Sequence, residues 1–394
     1  MIPAEGDPRA PLRFQRPSLP SAERIERYLD LSRQARWFSN EGPCWRLLSE
    51  RLAEIAHAHC VPVANGTIGL MAAIAAVGHG GRRGAGATTA LLPSFTFVAS
   101  AQAALWAGMR PRLLDIDSAH WHLDPALLED EIRDSHTRVG VVLAVSTFGT
   151  PPPAETRTRW ERACRRENIP LVIDSAAAFG AIADDGVPVG SQGDVEVVSF
   201  HATKPFAIGE GGAVFTRSRA LYERVKMAVN FGFTADRTVG FEMGFNGKMS
   251  ELHAAAALAV LDEYDAILQN RRNHAHELRR RSELPVTWQE GCERSTWQFV
   301  PVAFASPDGR TDVIARCRDA VEVRTYYDPI HAMPTFSHLP TGRGGVPQTE
   351  GLCARLLCLP MANDLSPAER DRIASMLCAQ PERQPPAVRT ITSR

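Results

Sequence analysis

Residues 139–174 read VGVVLAVSTFGTPPPAETRTRWERACRRENIPLVID, and this stretch indicates the fold. It begins with a continuous apolar run at 139–145, which is typical of a strand buried on both faces of a sheet. A helical pattern follows over 155–167, and a second apolar strand over 170–174. Because a helix between two strands is the usual crossover between parallel neighbours, the stretch predicts a strand–helix–strand unit with parallel strands.

The same alternation of strands and helices continues on both sides of this unit. Short apolar segments alternate with helical patterns from about residue 61 to residue 216, which predicts an α/β fold around a mostly parallel sheet. After about residue 250 the pattern changes to one long helix over 251–281. Beyond that helix we expect a strand at 298–304, a helix at 311–320, a strand exit at 326–329 and a helix at 367–378.

This change of pattern predicts two domains. Residues 1–250 are expected to form an N-terminal arm and a large ligand-binding domain, because they hold the strand–helix alternation. Residues 251–394 are expected to form a bridging helix and a smaller C-terminal α/β domain.

Composition and charge exclude several classes of protein. Hydrophobic residues make up 44% and charged residues 23%, which is typical of a globular chain and excludes a mostly disordered one. Lys and Arg total 44 against 45 Asp and Glu, so no nucleic-acid or membrane partner is indicated. No segment approaches the ~20 apolar residues of a membrane span. The eight cysteines lack a C-x-x-C pair, which is typical of reduced thiols, so we expect a soluble cytoplasmic protein.

Lysine is rare in this chain and occurs only at Lys204, Lys226 and Lys248. Unlike a guanidinium, a lysine amine can lose its proton and form an imine with an aldehyde. Chance retention on a solvated surface explains Lys226, which falls on the polar face of a predicted helix. Lys204 instead follows a predicted strand on a loop of small residues, Ser199-Phe-His-Ala-Thr-Lys204, and is the candidate nucleophile.

Two further strand ends carry polar residues, and ligands of α/β sheets lie outside such carboxyl ends. Asn65-Gly-Thr67 ends a strand and begins a helix, so it is either an ordinary helix cap or a phosphate site. Asp174 ends an apolar strand and is either a cap or the partner of a protonated ring nitrogen. A phosphate site, an acid for a ring nitrogen and a lysine for an aldehyde together predict a site for pyridoxal 5′-phosphate (PLP).

Further motifs are spread over nearly the whole chain. They are Trp37-Phe-Ser-Asn-Glu-Gly-Pro43, Pro93-Ser-Phe-Thr-Phe97-Val-Ala-Ser100, Asp115-Ile-Asp117, Glu210-Gly-Gly-Ala213, Gly244-Phe-Asn246-Gly-Lys-Met-Ser-Glu251 and Leu359-Pro-Met361. Together with the three strand ends, they resemble the DegT-type sugar aminotransferases, a family of fold-type I PLP-dependent enzymes. Within it, the chain is most similar to transaminases that make nucleotide-linked amino-dideoxy sugars. The resemblance implies a homodimer with shared active sites.

The resemblance also implies a role for each candidate site residue. Lys204 would bind the cofactor aldehyde covalently and later move the substrate proton, and Asp174 would pair with the ring nitrogen. Phe97 would stack on the face of the ring. The substrate would meet Lys248 and His331. The cofactor phosphate would be held by Gly66, Thr67, Ser199 and, from the neighbouring subunit, Asn246.

Two positions depart from the pattern of the family. Ala177 stands where a hydrogen-bonding Gln or His is usual, and Phe148 stands where Tyr is usual. The leading hypothesis is a PLP-dependent aminotransferase that moves an amino group from an amino acid, glutamate, to a keto group on a nucleotide-linked sugar. The alternative that these two positions favour is a PLP enzyme of the same fold that forms or breaks a C–C or C–N bond.

Other functions fit these residues less well. Lys204 argues against the dehydratase branch of the family, in which histidine replaces that lysine. Together with Asp174, it also argues against a cofactor-binding sensor without catalysis. The His-x-His pair His120 and His122 falls in a predicted loop without cysteine ligands nearby, so surface histidines explain it and no metal site is expected.

Overall fold

The computed structural model describes residues 11–78, 88–134 and 138–378. The strands are β1 (His59–Val63), β2 (Thr89–Pro93), β3 (Arg110–Leu114), β4 (Val139–Val145), β5 (Leu171–Asp174), β6 (Val195–Ser199), β7 (Gly212–Thr216), β8 (Val286–Thr287), β9 (Val300–Phe304) and β10 (Leu356–Leu359). The helices are α1 (Ala22–Ala35), α2 (Pro43–Ala56), α3 (Gly66–Val77), α4 (Val98–Trp106), α5 (Pro125–Arg133), α6 (Ala154–Arg166), α7 (Arg219–Val229), α8 (Glu251–Leu261), α9 (Tyr264–Arg281), α10 (Pro307–Cys317), α11 (Pro347–Arg355) and α12 (Pro367–Ser375).

The larger sheet has seven strands in the order β1-β7-β6-β5-β4-β2-β3. The five adjacent strands β3, β2, β4, β5 and β6 run parallel to one another. Strand β7 runs antiparallel to both of its neighbours, β1 and β6. The predicted strand–helix–strand unit is confirmed as β4, α6 and β5, and with it the mostly parallel α/β fold. The carboxyl ends of β4, β5 and β6 therefore meet at one edge of the sheet.

Helix α3 packs unusually close to the larger sheet because its residues are small and apolar. A Cβ atom on Gly69 would lie 2.8 Å from Cγ1 of Val197 on β6, which is closer than real Cβ contacts. The helix begins directly after β1, and its side chain cap is Asn65, whose Oδ1 accepts from the Ile68 N–H at 2.9 Å. This close packing brings the N-terminus of α3 to the carboxyl end of β6.

A smaller antiparallel sheet, in the order β10-β9-β8, has a hydrophobic core of its own. Helix α9 connects the two cores, because Tyr264 and Leu268 at its start belong to the larger core and Ala275 and Leu278 to the smaller one. The predicted bridging role thus falls on α9, whereas α8 is buried in the larger core.

The prediction of one helix over 251–281 was wrong, because α8 ends at Leu261 and α9 begins at Tyr264. The residue after α8, Asp262, accepts hydrogen bonds from Oη of Tyr28 at 2.8 Å and Nη1 of Arg51 at 2.9 Å. These partners lie more than 200 residues away in the chain, so the helical pattern around residue 262 carries no sign of them.

The predicted strand exit at 326–329 was also wrong, because these residues form no strand; just ahead of them, Arg324 makes an isolated bridge with Cys358. The sequence pattern also missed α11 and β10. The N-terminal arm pairs with the smaller part of the molecule through a bridge between Leu12 and Val321. The domain division into 1–250 and 251–394 stays a prediction. None of the helices in the described ranges is long and apolar enough to cross a membrane.

Candidate functional site

A cavity of about 550 Å³ opens at the carboxyl ends of β4, β5 and β6. Its walls come from the start of α3, the start of α4, the loop after β6 and segments next to the smaller sheet. Sites for small molecules commonly have this volume and this place in an α/β fold. The three strand ends singled out in the sequence therefore meet at one cavity.

The first wall of the cavity is the N-terminus of α3. Thr67 and Ser199 both line the cavity there, next to Gly66. A Cβ atom on Gly66 would lie 2.9 Å from Cβ of Ser199, so only glycine permits this approach of helix and strand. Free backbone N–H groups, the positive end of the helix dipole and two hydroxyls together suit a bound phosphate.

The second wall carries Asp174, which is only 5% exposed. Its carboxylate accepts hydrogen bonds from Oγ of Ser100 at 2.7 Å and from the Ala176 N–H at 3.1 Å. Burial raises the pKa of Asp174, while the Ser100 hydrogen bond and the charge of Lys204 act in the opposite direction. No regular helix follows Asp174, so the capping alternative does not explain its position.

The third wall carries Lys204 on the loop between β6 and β7. This loop is closed by backbone hydrogen bonds, including one from the Ala202 N–H to the Gly209 carbonyl at 2.8 Å. The amine of Lys204 donates to Oε1 of Gln298 at 3.2 Å. Burial lowers the pKa of Lys204 to about 8, and the neighbouring Asp174 carboxylate only partly offsets this. An amine with such a pKa is partly unprotonated, and hence nucleophilic, near neutral pH.

Aromatic side chains form much of the remaining wall. Phe97 directly precedes α4, remains 57% exposed and lines the cavity. Behind it, Phe148 stacks on Tyr327 with ring centroids 5.1 Å apart and an interplanar angle of 18°. Both positions that depart from the pattern of the family, Phe148 and Ala177, line the cavity. At these two places the wall is apolar.

Three predicted site residues, Asn246, Lys248 and His331, are not among the described residues that line the cavity. Asn246 is exposed, and Nζ of Lys248 lies 4.5 Å from the ring centroid of Phe231. Nδ1 of His331 shares a hydrogen bond of 2.7 Å with Oγ of Ser94. Within one protomer, therefore, the structure does not bring these three residues to Lys204.

The third lysine and the paired histidines also lie outside the cavity. Lys226 is half-buried and forms an ion pair of 2.7 Å with Glu41 rather than extending into solvent. His120 lies 3.2 Å from the Asp117 carboxylate. The prediction of a surface histidine was wrong for His122, which is fully buried against the Val145 carbonyl. Across the described part of the chain, no three His, Cys, Asp or Glu side chains cluster in a way that could hold a metal ion.

The arrangement of these walls can be compared with known proteins. A model of the DegT/DnrJ/EryC1/StrS aminotransferase family matches residues 21–378. The chain belongs to this family. The predicted resemblance is thereby confirmed, and the protein is a PLP-dependent aminotransferase.

Individual relatives of this aminotransferase agree with that assignment. It is 29% identical to the dTDP-4-amino-4,6-dideoxy-D-glucose transaminase of Shigella dysenteriae, over 90% of this chain and 95% of the relative. A crystal structure of a putative PLP-dependent aminotransferase from Bacillus cereus superposes with a TM-score of 0.84, at 27% identity, over 93% of this chain and 99% of that one. DesI in the presence of its TDP-sugar product superposes with a TM-score of 0.82, at 31% identity, over 95% and 93%.

The cavity of this aminotransferase fits PLP on its own chemistry. A glycine that admits the α3 N-terminus to Ser199 suits the phosphate, and a buried acid suits the ring nitrogen. The Lys204 amine, with its lowered pKa, suits the aldehyde. All three groups line the same cavity.

Sequence reasoning missed several residues of the site in this aminotransferase. Ser100, the hydrogen-bond partner of Asp174, ends a motif that was quoted without a role for this serine. Tyr326 and Tyr327 both line the cavity, and two adjacent tyrosines in a chain with five were a usable signal. Gln298 had no such signal, because it follows an unremarkable Thr-Trp pair ahead of β9.

Proposed function

We propose that this aminotransferase moves an amino group from glutamate to a keto group of a sugar linked to a nucleoside diphosphate. The proposal is carried by one observation, the Lys204 amine and the Asp174 carboxylate in the wall of a single cavity. The nucleotide-linked acceptor is supported by the names of relatives, since the Shigella protein is a transaminase of a dTDP-linked sugar and DesI was crystallised with its TDP-sugar product.

In this proposal the side chains of the cavity hold the cofactor from all sides. Lys204 binds its aldehyde, and Asp174 accepts a hydrogen bond from the ring N–H. Phe97, which lines the cavity and is 57% exposed, would stack on the cofactor ring. The phosphate of the cofactor is held at the N-terminus of α3 by Gly66, Thr67 and Ser199. PLP, when bound, supplies an aldehyde that takes up an amino group and a ring that withdraws electrons.

Lys204 would have a second task whenever its amine is not bound to the cofactor. The free amine would take up the proton from Cα of the donor and would later give a proton back. A pKa of about 8 suits this work, because the neutral and protonated amine are both accessible near neutral pH. The negative charge of Asp174 keeps the ring nitrogen protonated meanwhile.

The proposal includes a homodimer with shared active sites. Asn246 is exposed and pairs with Asn230 at the end of α7. The segment between them carries Phe231 and Phe233, which are 47% and 39% exposed. Exposed aromatic side chains of this kind are typical of subunit contacts. In the proposed dimer, Asn246 of the partner subunit completes the phosphate site. The cytoplasmic location, the glutamate donor and the roles of Lys248 and His331 stay predictions.

The test begins with the purified full-length protein and PLP. The protein is expected to show the long-wavelength absorption of a lysine-bound cofactor, and borohydride is expected to fix a label on Lys204. Glutamate should then bleach the absorption, and a keto sugar should restore it. Lys204→Ala is the matched control and should give neither label nor bleaching. An unlabelled Lys204 in the wild-type protein would refute the assignment of the site.

The acceptor is identified in a second step. dTDP-linked and GDP-linked 4-keto-6-deoxyhexoses are offered with glutamate, and the products are analysed by mass spectrometry. Conversion of a keto sugar to its amine is the expected result. Bleaching by glutamate without conversion of any nucleotide-linked keto sugar would disprove the acceptor while leaving the amino donor intact.

A further inference from the structure

The amine of Lys204 is held by a residue from a distant part of the chain. Among the residues that the structure describes, Oε1 of Gln298 accepts a hydrogen bond from this amine at 3.2 Å. Gln298 is 8% exposed and lies two residues ahead of β9 in the smaller sheet. The nucleophile on the larger sheet is therefore oriented from the smaller one.

The backbone at Gln298 is itself fixed by a buried cation. Nη1 of Arg271 on α9 donates to the Trp297 carbonyl at 2.8 Å, and its Nε donates to Oδ1 of Asn363 at 2.7 Å. Arg271 is only 5% exposed, and burial lowers its pKa to about 10. Burying a charged guanidinium costs free energy, and one that is bonded to backbone carbonyls is typical of a rigid support.

The same segment is also tied to the cavity wall of the larger sheet. Oγ1 of Thr296 donates to the Ala177 carbonyl, and Oγ of Ser295 donates to the Phe148 carbonyl at 3.2 Å. Ala177 lines the cavity with a methyl group, so the end of β5 offers no side-chain acceptor at this point. Gln298, two residues after Thr296, brings an amide to the same cavity.

We propose that Gln298 is the positioning residue of Lys204, and that its amide oxygen directs the free amine into the cavity while the amine is not bound to the cofactor. This inference rests on the proposed function of Lys204. The fixed backbone at residues 295–298 makes the direction of the amide a property of the fold rather than of one flexible side chain.

The proposal has a measurable consequence for the protonation of Lys204. An acceptor binds an ammonium more strongly than a neutral amine, so the proposal predicts that loss of the Gln298 amide lowers the pKa of Lys204. The other titratable groups around this cavity are unchanged in a Gln298 variant, so they do not cause a difference between variants. They are Asp174 from β5, His201 and Glu210 from the loop of Lys204, Tyr326 and Tyr327 from the segment between β9 and β10, and, in a neighbouring pocket that Lys204 also lines, Arg271 from α9.

The experiment measures how fast the full-length protein, freed of cofactor, takes up added PLP at each pH. Borohydride trapping and mass spectrometry count the label on Lys204, and the midpoint of the rate profile reports the protonation of its amine. Gln298→Leu is expected to lower this midpoint by about one pH unit, because it removes a hydrogen bond to a charged group. Gln298→Glu is expected to raise it by about one unit or more, because it adds a negative charge.

The matched control is Gln289→Leu. Gln289 is 1% exposed and accepts from Oγ1 of Thr150 at 2.8 Å, away from Lys204. This variant is expected to lower the Tm and leave the midpoint unchanged. A wild-type midpoint in both Gln298 variants, or an equal shift in the control, would overturn the inference. Failure of the proposed function is distinguishable, because Lys204 of the wild-type protein would then take up no label at any pH.

Discussion

Two buried carboxylates, Asp174 and Glu196, lie one strand apart in the centre of the larger sheet. Asp174 ends β5, and Glu196 on β6 pairs in register with Ile173, so the two side chains point to opposite faces. Burial raises the pKa of both, that of Glu196 to about 7. A shifted pKa alone therefore does not distinguish them.

The surroundings of the two carboxylates distinguish them. Glu196 is fully buried and enclosed by donors, namely Oγ of Ser175, the Gly190 N–H and the Gln192 N–H. Among the described residues, Asp174 accepts from two donors; it faces an open cavity, and a cation, Lys204, lines that same cavity. The comparison shows that a buried acid marks a ligand site when its partners are incomplete and a cavity adjoins it.

The largest expected effect distinguishes these two acids by activity. Asp174→Asn keeps the shape of the side chain but removes the charge that holds the ring nitrogen protonated. We expect kcat to fall by about 10²- to 10³-fold, the size typical of an electrostatic contact in an active site, with little change in Tm. Steady-state kinetics and thermal melts check this. Glu196→Gln is the matched variant and should keep most of the activity; equal losses in both would break the comparison.

The contrast also shows what the sequence could reveal. Lys204 and Asp174 were predictable because Asp174 ends an apolar strand, Lys204 lies on the loop after another, and the carboxyl ends of parallel strands meet. Gln298 was not, because it reaches Lys204 from 94 residues away and its own surroundings in the sequence are ordinary. The role of such a residue depends on the position in which α9 holds the smaller sheet relative to the larger one, and no local sequence pattern predicts that position.

Glu196 illustrates a second limit of local patterns. A lone acid among the valines of 195–198 is compatible with a solvent-facing side chain, yet this one is fully buried. The turn at 190–192 folds over it and supplies two N–H donors. The break between α8 and α9 has the same cause, since Asp262 is held by partners on α1 and α2. Long-range hydrogen bonds decided both features.

The next effect concerns stability, and it belongs to Glu196. Its pKa in the folded protein, about 7, lies above its ordinary value of 4.5, so the folded state keeps the proton longer than the unfolded state. Its contribution to stability is therefore complete below the ordinary value and is lost as the pH rises through about 7. The loss is at most about 1.4 kcal/mol per pH unit within this window.

Glu196→Gln tests this sign. The variant has no proton to lose, so its Tm relative to wild type should rise between about pH 5 and pH 8. Melting curves of the cofactor-loaded protein over this range measure the difference. Glu155→Gln, at an exposed position of α6, is the control and should follow the wild type. A difference in Tm that does not change with pH would mean that Glu196 is ionised throughout.

The smallest expected effect concerns Ser100, which connects Asp174 to the rest of the protein. Its Oγ lies 2.7 Å from the Asp174 carboxylate and 2.9 Å from Oγ1 of Thr96. Ser100→Ala removes a hydrogen bond that lowers the pKa of Asp174, so the pKa should rise. We expect the acidic limb of the kcat profile to move to higher pH, and kcat at neutral pH to fall by no more than about tenfold.

Thr96→Val separates this electrostatic role from packing. It removes the other partner of Ser100 but leaves the contact between Ser100 and Asp174, so its acidic limb should stay where the wild-type limb is. If both variants moved the limb equally, Ser100 would act by filling space, and Asp174 would depend on the cofactor alone for its charge. If only Ser100→Ala moved it, the hydrogen bond from Ser100 would be one of the contacts that keep Asp174 ionised for catalysis.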